Sequence, residues 1–182
     1  ISWNNPLYIP TEDTIYLWDR IARKLHELWY FYKEFDHVYI NPTDKIEHWK
    51  FSDEDSHINL PEYKRIKQFN YWLDVQYFNS LKNSDKDLMI AKMTFDVLEK
   101  ESDEDNLKKV LQVKNEIHIE WKQLKINYKK KITRKYSVSI FYQIWANNTP
   151  ASLIVEYIDI IHWNLHYTFQ LPLQYWEDIY YL

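Results

Sequence analysis

Asp159 is the one carboxylate in a run of odd positions that is otherwise apolar: Leu153, Val155, Tyr157, Ile161, Trp163, Leu165, Tyr167, Phe169, Leu171 and Leu173. An acid held on an oily strand face loses hydration, which raises its pKa and suits it to taking and returning a proton. Once the strands are paired, Tyr136, Tyr142 and Tyr157 share that face, where their hydroxyls would donate to a developing enolate or phenolate oxygen. Trp121 and Trp163 would add aromatic walls for an apolar substrate. A structural alternative stands beside this one, with Asp159 satisfied by a helix residue or by water, and with Arg134 stacked on Trp163.

The seven histidines are scattered at 26, 37, 48, 57, 118, 162 and 166. His162 and His166 are four apart, a spacing that gathers metal ligands on a helix but not on a strand. The strand pattern therefore gives no metal site. Asp36 and His37, beside the first short strand, sit in a solvated turn or line the mouth of a cone-shaped sheet. With no glycine there is no phosphate-cradling loop, and with no cysteine there is no thiol nucleophile, disulfide or thiolate metal site. No cofactor is expected.

Composition narrows the partners. A net charge of -4 and a pI of about 6.0 lack the basic footprint that neutralises phosphates, so no nucleic acid is expected. No apolar run nears the roughly 18 residues that span a bilayer, and no leader precedes the first helix. A soluble, cytoplasmic protein without a membrane partner is the expectation. Glycine averages about 7 per cent, so its chance absence over this length is about one in a million. That marks an unusual origin, and turns that need positive φ must turn to Asn or Asp.

Residues 11–35 open after Pro10 with acidic side chains and then place Ile15, Trp18, Ala22, Leu25, Trp29 and Tyr32 at helical steps. The tetrad Asn41-Pro42-Thr43-Asp44 predicts a turn between short strands at 38–40 and 46–51. Ile66, Phe69, Leu73, Tyr77 and Leu81 predict a second helix over 61–83. From Leu88 the pattern reads as period two, giving strands over 88–97 and 111–121 around an acidic turn at 101–106. A parity slip at Lys122-Gln123 predicts a β-bulge. Two further strands fold back at 129–131, and a four-residue loop at 147–150 would set Ile144 opposite Leu153 and Val138 opposite Asp159.

The fold class expected is α+β in one domain, 1–182, with N-terminal helices packed on a strongly curved, mostly antiparallel sheet. An all-α bundle is the alternative, because Val110, Ile117 and Leu124 are seven apart. In that alternative Leu60-Pro61-Glu62 with Arg65-Ile66-Lys67-Gln68-Phe69 resembles a type I interferon.

The order of elements resembles the nuclear transport factor two-like fold, a cystatin-like cone enclosing a pocket. Within it, the turn Leu98-Glu99-Lys100-Glu101-Ser102-Asp103-Glu104 is similar to scytalone dehydratase, a cofactor-independent enzyme using tyrosines, histidines and an aspartate. That resemblance adds Tyr39 and His118 as proton donors. Phe51 with Asp53-Glu54-Asp55 before Arg65-Ile66-Lys67-Gln68-Phe69 is similar to the small subunit of aromatic ring-hydroxylating dioxygenases, a structural partner of a catalytic chain. The implied function is an acid–base lyase or isomerase on a small apolar hydroxyl- or carbonyl-bearing substrate, with Asp159 as base. The alternatives are a non-catalytic dioxygenase subunit and an apolar-ligand carrier. The implied partners are a small apolar ligand and either further copies, as a dimer or trimer, or a larger catalytic subunit.

Overall fold

The first helix begins where its sequence says it should. Thr11 and Thr14 form a capping box, each hydroxyl accepting the other's backbone N–H at 3.1 Å, with Glu12 and Asp13 at the positive end of the dipole. The computed structural model describes residues 7–32, 35–47, 51–57, 65–145, 151–162 and 166–174, with side chains throughout except in 51–57.

Helix α1 (Glu12–Glu27) is followed by strands β1 (His37–Thr43), β2 (Phe51–His57) and β3 (Ile66–Trp72) and by the short helix α2 (Val75–Ser80). A helical hairpin follows, α3 (Asn83–Glu101) and α4 (Glu104–Glu120), and a 3-10 turn at Trp121–Gln123 leads to strands β4 (Ile126–Ile132), β5 (Tyr136–Gln143), β6 (Ala151–Asp159) and β7 (His166–Leu173). The last four make an antiparallel meander in the order β4-β5-β6-β7, and the first three a mixed sheet in the order β1-β3-β2 with β1 and β3 parallel. The protein is α+β and not an all-α bundle. One continuous core runs from Leu17, Trp18 and Ile21 on α1 through Ile90 and Met93 on α3 and Val113 on α4 to Ile126 and Tyr142 under the meander. Among the described residues no helix is long and apolar enough to cross a membrane.

Several expectations are corrected. The helix expected over 61–83 is strand β3 and then α2; Lys67 and Phe69 are the buried pair, two apart, and Asn70-Tyr71-Trp72 are poor helix residues on a sheet. The hairpin expected between 38–40 and 46–51 does not form, since β3 lies between β1 and β2. The strands expected over 88–97 and 111–121 are helices. α3 is apolar on a wide arc because α1 packs on it from one side and α4 from another, and such an arc imitates alternation. In α4 the helical steps are the true ones, for Val110, Val113 and Ile117 are its buried residues.

Nearer the carboxyl end the parity survives while the register moves. The slip at Lys122-Gln123 is the 3-10 turn, and the bulge falls between Asn127 and Lys129. The chain reverses at 133–135 instead of 129–131, held by the Thr133 hydroxyl accepting the N–H groups of Lys135 and Tyr136. Tyr142, not Ile144, faces Leu153, and Tyr136, not Val138, faces Asp159. A shift of two residues returns every side chain to its own face.

Positive φ is taken by Trp29 (57°) and Trp121 (47°), among the described residues, and not by Asn or Asp. Both stand at a helix end: at Trp29 the left-handed turn satisfies the last carbonyls of α1, and at Trp121, where ψ is -113°, the chain turns from α4 into the 3-10 turn. With no glycine to fill those places, tryptophan does.

Candidate functional site

The left-handed turn at Trp29 folds the chain back beside α1. The Trp29 N–H donates to the His26 carbonyl at 3.0 Å and the Tyr30 N–H to that of Leu25 at 3.0 Å. Two side chains of α4 then tie the segment down: Lys109 Nζ donates to the Trp29 carbonyl at 2.8 Å and Asn106 Nδ2 to that of Phe31 at 3.0 Å. On the far side, the N–H groups of Asp36 and His37 both donate to the Arg65 carbonyl, and the Arg65 N–H donates to Asp36 Oδ2 at 3.1 Å. These anchors hold open a cleft of about 370 Å³ between α1, residues 30–32, the start of β1 and α3.

The floor of the cleft is apolar and buried, formed by Ile21, Leu25, Ile40 and Leu98. Aromatic rings make its wall: Tyr32 lies against Phe35 with centroids 5.9 Å apart and meets Phe69 edge-on at 6.3 Å. The polar groups at depth are already engaged. The Thr94 hydroxyl donates to the Ile90 carbonyl at 2.8 Å and accepts Trp18 Nε1 at 3.1 Å, while the Tyr32 hydroxyl donates to Glu101 Oε2 at 2.9 Å. Tyr30 lies 3.2 Å from the Ser102 hydroxyl, and desolvation first, then Asp103 and Glu101, hold its phenol above the usual pKa against the lowering bond from Ser102. It is a phenol that stays protonated.

At the mouth the situation reverses. His26, Asp36 and His37 are exposed, and no described residue bonds to either imidazole. The site can therefore desolvate an apolar body and offer two imidazoles and a carboxylate oxygen to one polar end. A neighbouring hollow of about 480 Å³ is walled by Trp29, Asp103, Glu104 and Asp105, charged and open, and belongs to solvent.

The residues singled out in the sequence do not meet in this cleft. Tyr39 is half-buried on β1, its ring 6.4 Å from that of His37, and so stands next to the mouth. His118 is exposed on the last turn of α4, and Trp121 begins the 3-10 turn after it. Tyr142 is buried under the meander, whereas Tyr136 and Tyr157 stack at 5.8 Å towards its other end, beside Asp159. Trp163 lies outside the described residues. Asp159 caps the turn after β6: Oδ1 accepts the N–H of Ile161 at 2.9 Å and of His162 at 3.0 Å, and Oδ2 lies 3.3 Å from His162 Nδ1. Those bonds, the His162 N–H foremost, hold its pKa below the usual carboxylate value, opposite to the rise expected from burial. Asp36 and His37 stand at the mouth of this cleft, which no strand of the meander lines; His26 and Tyr30 were not foreseen, although Ala22 and His26, four apart beside Leu25, already marked a helix flank that could face a hollow. No group of three or more potential metal-ligating side chains gathers among the described residues. The chain matches no protein-family model, no curated protein and no solved structure.

Proposed function

We propose that the protein binds a small, largely apolar molecule bearing one hydroxyl or carbonyl group, in the cleft between α1, β1 and α3. The observation that carries this is the division of the cleft: the deep hydroxyls of Thr94 and Tyr32 are spent on the protein itself, while the His26 and His37 imidazoles, and the Asp36 oxygen that Arg65 does not take, stand at the mouth. An apolar ring would enter between Tyr32 and Leu98 and leave its oxygen at the imidazoles. The volume falls within the roughly 300–1,000 Å³ usual for small-molecule sites.

Calorimetric titration with 1-naphthol and with naphthalene tests it. Both should bind saturably at one site, the naphthol more tightly by up to about tenfold for its added hydrogen bond. Ala22→Trp fills the cleft from its exposed flank and should weaken both at least about tenfold without unfolding the chain. Equal affinity in the wild type and in this variant would remove the proposal. Acid–base turnover by the imidazoles, in the manner of a cofactor-independent isomerase, would show with 2-tetralone in deuterated water as exchange of its α-hydrogens, one proton leaving to an imidazole and one deuteron returning, above the rate without protein and lost in His26→Ala and His37→Ala.

A further inference from the structure

The meander has two outer strands, and the chain treats them differently. β4 carries Lys129, Lys130 and Lys131, all exposed, and a bulge between Asn127 and Lys129; charge and bulges are the usual means of stopping a sheet edge from pairing with another chain. β7, of sequence HYTFQLPL, has no Lys, Arg, Asp or Glu and pairs residue for residue with β6 without a bulge. Among the described residues no strand lies on its other edge. Its apolar side chains Tyr167, Phe169 and Leu171 remain 48%, 57% and 53% exposed.

We infer that β7 pairs antiparallel with β7 of a second copy across a twofold axis, joining two meanders into one eight-stranded sheet. This goes beyond the ligand-binding reading and does not depend on it. A second copy fits because an uncharged strand is compatible with itself, whereas a β4 edge would set lysines against lysines. The one proline fixes the register. Pro172 has no N–H, and a proline survives in an edge strand where that missing donor faces outward. Even-numbered residues of β7 therefore turn their backbone groups to the partner, and a twofold axis at Thr168 sets His166 opposite Gln170 without using Pro172. The same register faces Tyr167 with Phe169 twice, an aromatic cross-strand pair on the apolar face. Three half-exposed side chains leave roughly 300 Å² per copy, well under the roughly 800 Å² of a standard interface, so the dimer is weak and concentration-dependent.

Sedimentation equilibrium of the whole chain from low micromolar to several hundred micromolar should show monomer passing to dimer. Thr168→Lys sets two ammonium groups face to face at an exposed position and should raise the dissociation constant at least about tenfold, with the circular dichroism spectrum unchanged. Because the chain has no cysteine, Thr168→Cys gives a clean cross-link under mild oxidation: facing Cα atoms about 5.5 Å apart lie within disulfide reach. Gln170→Cys should stay uncross-linked, its copies being more than about 13 Å apart. A chain monomeric throughout the range, a dimer indifferent to Thr168→Lys, or cross-linking equal at both positions would each overturn the proposal. So would protection from hydrogen exchange of the outward amides of His166, Thr168 and Gln170 in the dilute monomer, which would mean the edge is covered within one chain.

Discussion

The two flanks of α1 bury side chains of opposite kinds. On one, Asp13, Arg20 and Lys24 lie in the interior as charged groups with partners: Arg20 donates to Asp13 at 2.9 Å and to the Ile144 carbonyl at 2.8 Å, and Lys24 reaches Glu27 and Glu116 at 3.1 Å and the Lys125 carbonyl at 3.0 Å. On the other, Ile21 and Leu25 are apolar and face the cleft. The charged flank is closed, and its bonds run from α1 to α4 and to the ends of β4 and β5, although Asp13 Oδ1 and Arg20 Nε are buried without a hydrogen-bond partner among the described residues. The apolar flank is open, with its polar groups withdrawn to the mouth. Buried polarity in this protein marks construction; apolar surface left facing a hollow marks a place for something else.

Breaking the charged flank should have the largest effect. Arg20→Ala would leave the Asp13 carboxylate in the interior with only Lys122, 3.6 Å away, and would strip the Ile144 carbonyl of its donor. Loss of one partner of a buried pair costs about 3–5 kcal/mol, a large share of the roughly 5–15 kcal/mol that holds a domain folded. Urea unfolding followed by tryptophan fluorescence reads this directly. The cleft flank should answer in the opposite way: Ala22→Trp, at an exposed position, changes the unfolding midpoint little while abolishing most naphthol affinity. A large loss of stability from Ala22→Trp, or none from Arg20→Ala, would erase the distinction between the flanks.

The same division explains what the sequence allowed one to read. The start of α1 is legible, because acidic residues follow Pro10 and Thr11 caps it, but its end and its buried face are not: the helix expected to residue 35 stops at Glu27, Ile15 and Ala22 of the expected apolar row are exposed, and Arg20 and Lys24 are buried. The parity of β5, β6 and β7 is legible because one face of the meander packs on the core, though the register needed a loop length that parity does not encode. α3 is illegible by periodicity because it is buried on more than one side; its residue types, Met89, Ala91, Lys92, Met93, Leu98 and Glu99, are the better signal, all strong helix formers. The cleft was not legible: Asp36 and His37 were noted in the sequence, but for a cone mouth or a solvated turn and not for a hollow between α1, β1 and α3. That hollow depends on how far the chain reverses after α1, and a left-handed tryptophan gives no sequence signal for that.

That reversal gives the next effect. Trp29 is 71% exposed and touches Phe31 at 6.4 Å between centroids, so its side chain contributes little against the cost of its left-handed backbone. That cost is about 1–2 kcal/mol for a residue with a β-carbon. Trp29→Gly removes it at some expense in unfolded-chain entropy, and should stabilise the protein by about 0.5–1 kcal/mol. Thermal unfolding should show a midpoint higher by a few degrees. A lower midpoint would mean that the indole holds the cleft wall in place, and naphthol affinity would then fall with it.

The smallest effect concerns Asp87, a buried carboxylate of α3 that packs against the start of α1. Asp87 Oδ1 accepts the hydroxyls of Thr11 and of Thr14, the latter at 3.1 Å, which favours its charged form, yet desolvation foremost and then Asp13 hold its pKa above the ordinary 3.8. A carboxyl whose pKa is raised on folding binds its proton more tightly in the native state. Its contribution to stability is complete below the unfolded pKa and is lost as pH rises through the higher, folded one. Asp87→Asn keeps a neutral oxygen for both threonines and has nothing to titrate. Its stability should match that of the wild type near pH 3.5, and should then exceed it by a margin that grows from about pH 4 and levels off once Asp87 is ionised. Guanidinium unfolding of both proteins at half-unit steps of pH measures that margin. A difference that stayed constant with pH, or one that shrank on going to neutral pH, would mean that the two threonine hydroxyls fully offset the burial of Asp87.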